Sequence, residues 1–328
     1  MRRRIAGSVV VITGASSGIA RATALMIAEQ RGSVVLASRQ EKVLQEVAAE
    51  CVERGGEALA VRTDVTDERQ VQELSRRAVE RFGRIDVWVN AAAVALYAKF
   101  EEAPADTFRR VIETNLFGYI HGARVALPIF RRQGQGMLIN IASVFGKVGA
   151  PYVSAYATSK FAVTGFSESL RAELRDEPEI HVCTILPATI DTPIFQHAAN
   201  FTGRALQALP PVYRPEKVAR AIVSCILNPK REVNVGAAAK QVAMLQKFST
   251  PLAERVVAAK VERQHFKRQA TGAFPGNMFI SMPQYNRVSG GWLKAQRRSR
   301  SRLMVVAALL TVAGVAAYYV RFNRRQAA

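Results

Sequence analysis

The chain has 328 residues, 49% hydrophobic and 22% charged, and its 46 Lys and Arg against 26 Asp and Glu leave a formal charge of +20. That length buries one large core with an appendage and leaves no room for a second enzyme domain. Three cysteines, Cys51, Cys183 and Cys225, and four histidines, His121, His181, His197 and His265, are scattered without metal-ligand spacing, which speaks against a disulfide framework or a metal site and for buried thiols in a reducing compartment.

Arg2-Arg3-Arg4 followed by apolar residues mimics a signal peptide, but the apolar stretch Ser8-Val9-Val10-Val11-Ile12 reads as the first buried strand. The turn Thr13-Gly14-Ala15-Ser16-Ser17-Gly18-Ile19-Ala20 follows it and leads into the helical run Ala22 to Ala28. In a strand, tight turn, helix order, Gly14 and Gly18 let backbone approach a pyrophosphate, which the first N–H groups and dipole of the helix stabilise. Ala20 is small enough to keep helix and strand in contact. Further strands are expected at 33–37, 58–62, 87–90, 137–141, 181–186 and 232–235, alternating with helical stretches. This pattern predicts an α/β fold, a doubly wound parallel sheet with helices on both faces.

Ser143 follows the strand Met137 to Ile141, and Tyr156-Ala157-Thr158-Ser159-Lys160 places a phenol and an ammonium one helical turn apart on one face. A fixed cation beside a phenol favours the phenolate and brings its pKa toward the working range. Ser143 is then placed to hold a carbonyl oxygen that Tyr156 protonates. A solvated Tyr and Lys on a helix face is the commoner fate of that spacing; the upstream glycine turn decides against it.

With these motifs in this order, the chain resembles the short-chain dehydrogenase/reductase family from about Ser8 to about Gly236. The resemblance implies a Rossmann fold, a nicotinamide cofactor, hydride transfer to or from a carbonyl or secondary alcohol, and a homo-oligomer. It implies catalytic roles for Asn115, Ser143, Tyr156 and Lys160, with Asn115 helping to hold a proton-relaying water and Lys160 also contacting the nicotinamide ribose. It places Gly14, Ser16, Ser17, Gly18, Ile19, Ser38, Arg39, Asp64, Val65, Asn90, Ala91, Pro187 and Thr192 at the cofactor, with Asp64-Val65 against the adenine and Thr192 at the nicotinamide amide. Two motifs depart from the family: Asn90-Ala91-Ala92-Ala93 loses a glycine, and Pro187-Ala188 replaces Pro-Gly. Neither removes a catalytic group. Where NAD-preferring relatives carry an acid after the second strand, this chain has Ser38-Arg39, and an arginine there can pair with the 2′-phosphate, so NADP(H) is expected. Residues 191–211, with Ile194, Phe195, Phe201, Leu206 and Leu209, fall where relatives carry the substrate lid. Their apolar content suits either an apolar substrate or simple core packing.

The expected organisation is a catalytic domain at 1–240, a helical and irregular basic extension at 241–302, a transmembrane helix at 303–320 and a basic tail at 321–328. In the extension, Met244 to Lys260 looks helical and Gly272 to Gly291 irregular, and the segment either packs on the domain or lies along a membrane. Residues 261–328 hold twelve Lys and Arg against one acid, Glu262, a basic bias that suits nucleic acid or an anionic membrane surface. Leu303 to Val320 is an uncharged, mostly apolar run of eighteen residues bracketed by arginines, with Tyr318 and Tyr319 near one end. Such a run is long enough to span a bilayer. The expectation is therefore a single-pass C-terminal anchor in membrane lipid with the catalytic domain cytoplasmic. Nucleic acid is not expected, because interleaved aromatic stacking positions are lacking. A non-catalytic NADP-binding redox sensor or scaffold is the alternative reading, and the complete Asn115, Ser143, Tyr156 and Lys160 set argues against it.

Overall fold

The computed structural model describes residues 4–294. Its centre is a seven-stranded sheet built from β1 (Val9–Thr13), β2 (Ser33–Ser38), β3 (Glu57–Arg62), β4 (Val87–Asn90), β6 (Gly136–Ile141), β7 (Ile180–Pro187) and β10 (Glu232–Val235), in the order β10-β7-β6-β4-β1-β2-β3. Every neighbouring pair is parallel. All seven predicted strands are thus present. Because the strands are covered on both faces, β1 is buried at each residue, and alternate side chains feed two cores. Val10 and Ile12 pack with α1 (Gly18–Ala28), α2 (Glu41–Glu53) and α8 (Pro215–Leu227). Val9 and Val11 pack with α3 (Glu68–Phe82), α5 (Gly118–Gln133) and α6 (Ser154–Glu173).

The chain runs from β1 outward to β2 and β3, then crosses back to β4 on the other side of β1. Strand order therefore reverses beside β1, and a crevice opens at the carboxyl ends of the strands there. Around that crevice lie β5 (Leu96–Tyr97), α4 (Ala105–Ile112), a π-helical turn at Glu113–Phe117, the short helix α7 (Ile194–His197), β8 (Ala199–Asn200) and β9 (Arg204–Leu206).

The extension packs on the domain, and Met1–Gly290 forms one compact unit. The single helix expected over Met244 to Lys260 is two helices, α9 (Ala237–Phe248) and α10 (Thr250–Gln264), interrupted at Ser249. Pro251 lacks the N–H that a continuing helix needs, so it opens α10 instead of extending α9. Val257 and Val261 of α10 join Val148, Leu206 and Leu209 in an apolar cluster, and β11 (Phe266–Ala270) pairs antiparallel with β9. The irregular stretch after it returns as a strap. Asn277 N–H donates to the His197 carbonyl at 2.8 Å, Arg21 Nη1 to the Asn286 carbonyl at 2.7 Å and Gly290 N–H to the Asp191 carbonyl at 3.2 Å. The expected span at Leu303 to Val320 lies outside the described residues; among those, no helix is long and apolar enough to cross a membrane.

Candidate active site

A cavity of about 280 Å³ occupies the crevice, reaching from the glycine turn to the extension. At one end the β1–α1 turn presents Gly14, Ser16, Ser17, Gly18 and Ile19. Gly14 has φ +73°, and a Cβ there would stand 2.8 Å from the Ala92 Cα. That close approach needs glycine. Thr13 Oγ1 fixes the facing segment by accepting from Ala91 N–H at 3.0 Å and Ala92 N–H at 3.2 Å, so the segment stays packed although it lacks the family's glycine. Gly18 N–H, at the start of α1, donates to the strap carbonyl of Arg287 at 3.1 Å.

Beyond the turn, Ser38, Arg39, Asp64 and Val65 line the wall at the ends of β2 and β3. Arg39 is not a free surface cation. Its Nη2 donates to the Asn277 carbonyl at 2.6 Å and its Nη1 to the Met278 carbonyl at 3.1 Å, leaving other N–H groups of the fork unused. Burial lowers the Arg39 pKa, and the Asp64 charge opposes this. Burial alone raises the Asp64 carboxyl, but hydrogen bonds from Thr66 and the Arg110 guanidinium, 2.6 Å away, outweigh it and hold the group below its ordinary range. Across the crevice the end of β7 supplies Pro187 and, further on, Thr192.

At the opposite end Ser143, Tyr156 and Lys160 meet. Gly146 makes this possible, since a Cβ there would come within 2.6 Å of the Lys160 carbonyl oxygen; its absence lets the Ser143 turn pack on the first turns of α6. Lys160 is 1% exposed. Its Nζ donates to the Ile141 carbonyl at 2.8 Å and Tyr119 Oη at 3.3 Å, and lies 5.7 Å from the Tyr156 ring centre. Burial pushes the Lys160 ammonium down to about 7. Burial also pushes the Tyr156 phenol up to about 12, against the pull of a hydrogen bond with Ser143. This corrects the expectation of a phenol lowered by a fixed cation: both groups are buried together, so desolvation dominates and each favours its neutral form.

Two predicted residues stand behind the cavity instead of lining it. Asn90 bonds Trp88, the Tyr119 carbonyl and Asn140, tying β4 to β6 and α5. Asn115, in the π-helical turn, accepts from Val94 N–H at 2.8 Å and donates to the Val94 carbonyl at 2.9 Å and Ser159 Oγ at 3.1 Å. Both side chains are fully buried and occupied. Of the expected lid residues, Ile194, Phe195 and Leu209 line the cavity, whereas Phe201 and Leu206 pack in apolar clusters, so both readings of that stretch apply in part. Unforeseen lining residues are Tyr97, Arg110, Tyr119 and His197, together with Val242, Val257, Lys260, His265 and Asn277 of the extension. No local motif marks them. Cys183 and Cys225, 42 positions apart, bring their Sγ atoms to 3.3 Å; all three cysteines are free and buried.

Comparison with known proteins agrees with this geometry. The family profile described as short chain dehydrogenase matches residues 8–202. An uncharacterized oxidoreductase of Bacillus subtilis, YxnA, is 34% identical over 96% of this chain and 91% of its own length. Among solved structures, a short chain dehydrogenase/reductase from Burkholderia phymatum in complex with NAD is 27% identical with a TM-score of 0.69, over 76% of this chain and 96% of its own. An alcohol dehydrogenase from the archaeon Thermococcus sibiricus complexed with 5-hydroxy-NADP is 26% identical with a TM-score of 0.61, over 70% and 94%. Of these two neighbours, one is thus complexed with NAD and the other with 5-hydroxy-NADP. The chain belongs to the short-chain dehydrogenase/reductase family, an oxidoreductase acting between CH–OH and C=O.

Proposed function

We propose that the protein is an NADP(H)-dependent dehydrogenase or reductase of an apolar carbonyl or secondary alcohol, a lipid among the candidates. The observation that carries this reading is the single cavity that joins the glycine turn to Ser143, Tyr156 and Lys160. The residues lining the cavity suit the cofactor: Gly14, Ser16, Ser17 and Ile19 would hold its pyrophosphate, joined by Gly18 where its N–H exchanges the Arg287 carbonyl for phosphate oxygen, and Asp64 and Val65 would hold the adenine. Ser38 and Arg39 would hold the ribose, and Ala91, Pro187 and Thr192 the nicotinamide end. When bound, the nicotinamide supplies or accepts the hydride.

Ser143 holds the substrate oxygen by a hydrogen bond. Tyr156, protonated at neutral pH because burial holds its phenol near 12, gives its proton to that oxygen during reduction and takes it back during oxidation. Lys160 stands beside the phenol, so the phenolate left after proton transfer raises the affinity of Lys160 for a proton in turn. Asn115 acts by holding the Val94 backbone and Ser159, and Asn90 by bracing the strand ends; both are positioning residues. Preference for NADP(H) rests on Arg39 and on the missing acid beside it.

The apolar lining from Tyr97, Phe195 and Leu209 supports an apolar substrate. The reading extends to Leu303–Val320 as a C-terminal membrane anchor with the catalytic domain on the cytoplasmic side, supported by its eighteen uncharged residues and flanking arginines, and to a homo-oligomer by family membership. A panel of carbonyls and alcohols, followed by nicotinamide absorbance with NADP(H) and NAD(H), tests the core of it. No turnover of any member with either cofactor would overturn the reading.

A further inference from the structure

The strap that follows β11 lies beyond the residues matched by the family profile, and it is fastened to the cofactor end of the crevice in two different ways. In its first half the Met278 carbonyl accepts from Arg39 Nη1 and from Arg110 Nε, both at 3.1 Å, and the Asn277 carbonyl from Arg39 Nη2 at 2.6 Å. The Met278 side chain is fully buried among Val94, Leu96 and Val111, which pins this half to the domain. In the second half no residue of 283–290 is buried. Hydrogen bonds seat it instead. Arg21 Nη1 donates to the Asn286 carbonyl at 2.7 Å, Gly18 N–H to the Arg287 carbonyl at 3.1 Å, Ser289 Oγ to Asp191 Oδ2 at 2.7 Å and Gln196 Nε2 to the Gly290 carbonyl at 2.8 Å. Val288 adds a partly buried apolar contact with the core under α1.

The bond to Gly18 has a consequence for the site. Gly18 opens α1, so its N–H is one of the helix-start donors that have no partner within the helix and that favour a phosphate oxygen. The Arg287 carbonyl already takes that donor. A carbonyl oxygen and a phosphate oxygen are both acceptors and both negative, and with no proton to share between them they repel at hydrogen-bond range. Seating of 283–290 and full binding of a pyrophosphate at Gly18 therefore exclude each other. Arg39 differs, because its fork keeps N–H groups that the strap does not use.

We propose that residues 283–290 are an autoinhibitory latch, whose Arg287 carbonyl occupies a pyrophosphate donor of the glycine turn and which the dinucleotide must displace, while the half at Asn277 and Met278 stays docked. This rests on the reading of the glycine turn as the dinucleotide site. Cofactor affinity is then the intrinsic affinity reduced by the fraction of molecules whose latch is open, and any change that opens the latch tightens cofactor binding in proportion.

The test loosens the latch from within. Val288→Ser combined with Ser289→Ala removes one apolar contact and one hydrogen bond of the latch, and neither residue lines the cavity. By calorimetry and stopped-flow fluorescence the double variant should bind NADPH about tenfold more tightly than the wild type, with the gain in the association rate. Weaker binding with faster dissociation would make the segment a cover that holds the cofactor, and overturns the proposal. Hydrogen exchange followed by mass spectrometry supplies a second readout. In the wild type, NADPH should slow exchange in the glycine turn and speed it in 283–290; exchange in 283–290 that is slowed or unchanged by bound NADPH overturns the proposal while leaving the dinucleotide site standing. If neither the wild type nor the double variant binds NADPH or NADH, the dinucleotide reading fails and the latch fails with it. Binding by the double variant alone supports the latch.

Discussion

Replacing Lys160 by Met should stabilise the protein near neutral pH while abolishing turnover, and the size of the effect should depend on pH in a defined way. Burial lowers the Lys160 pKa from 10.5 to about 7. Between those values the unfolded chain binds a proton that the folded chain does not, so wild-type stability rises with pH across the window. Integrated over the shift, the buried lysine destabilises the fold by about 4 kcal/mol at pH 7 and about 1 kcal/mol at pH 9.5. Methionine fills a similar volume without the ionisation, but it strands the Ile141 carbonyl that Nζ now bonds at 2.8 Å, a pH-independent loss of about 1–3 kcal/mol. The Lys160→Met protein should therefore be more stable by about 1–3 kcal/mol at pH 7 and roughly equal or slightly less stable at pH 9.5. Urea unfolding followed by circular dichroism at both pH values measures this, and other titrating groups cancel in the difference between variant and wild type. A stability difference that stays constant between pH 7 and 9.5 refutes a burial-depressed Lys160, whatever its absolute size.

Tyr156→Phe should lower turnover by about 10²–10⁴-fold and leave cofactor binding by calorimetry largely intact; near-wild-type turnover would remove Tyr156 from the chemistry. Arg39→Ala should weaken NADPH binding by about tenfold to a hundredfold through lost charge-assisted bonds and spare NADH. Equal losses for both cofactors would instead assign Arg39 to holding the strap at Asn277 and Met278. Gly14→Val, with φ +73° and Ala92 in the way, should lower the melting temperature and abolish cofactor binding, both readable in one thermal-shift series with and without NADPH. Full-length protein should stay with membranes after a high-salt wash, whereas a chain ending at Arg302 should be released; salt release of the full chain would make the basic tail a peripheral segment.

The parallel sheet was legible because its evidence is local. Val9 to Ile12 is β-branched and apolar without alternation, which only a strand covered on both faces explains, and the turn beginning at Gly14 follows it directly. Tyr156 and Lys160 were legible for the same reason, since helical spacing alone puts them on one face. What each side chain meets was not legible. Asn90 and Asn115 sit in recognisable motifs, yet their partners Asn140 and Ser159 lie 50 and 44 positions away, and those partners turn both side chains into braces behind the cavity.

By itself, then, the sequence determined the fold class, the order of the strands along the chain, the glycine turn and the Ser143, Tyr156 and Lys160 set, all of which follow from spacing within a few residues. Tertiary structure alone decided the protonation balance, because the desolvation that moves Tyr156 and Lys160 toward their neutral forms depends on everything packed around them. It also decided that the extension belongs to the site. Nothing near His265 in the chain marks it, and only the pairing of β11 with β9 and the seating of α10 against Val148 and Leu209 bring its ring to the cavity wall. Contacts between segments distant in the chain are set by the packing of whole elements, which no short run of residues encodes.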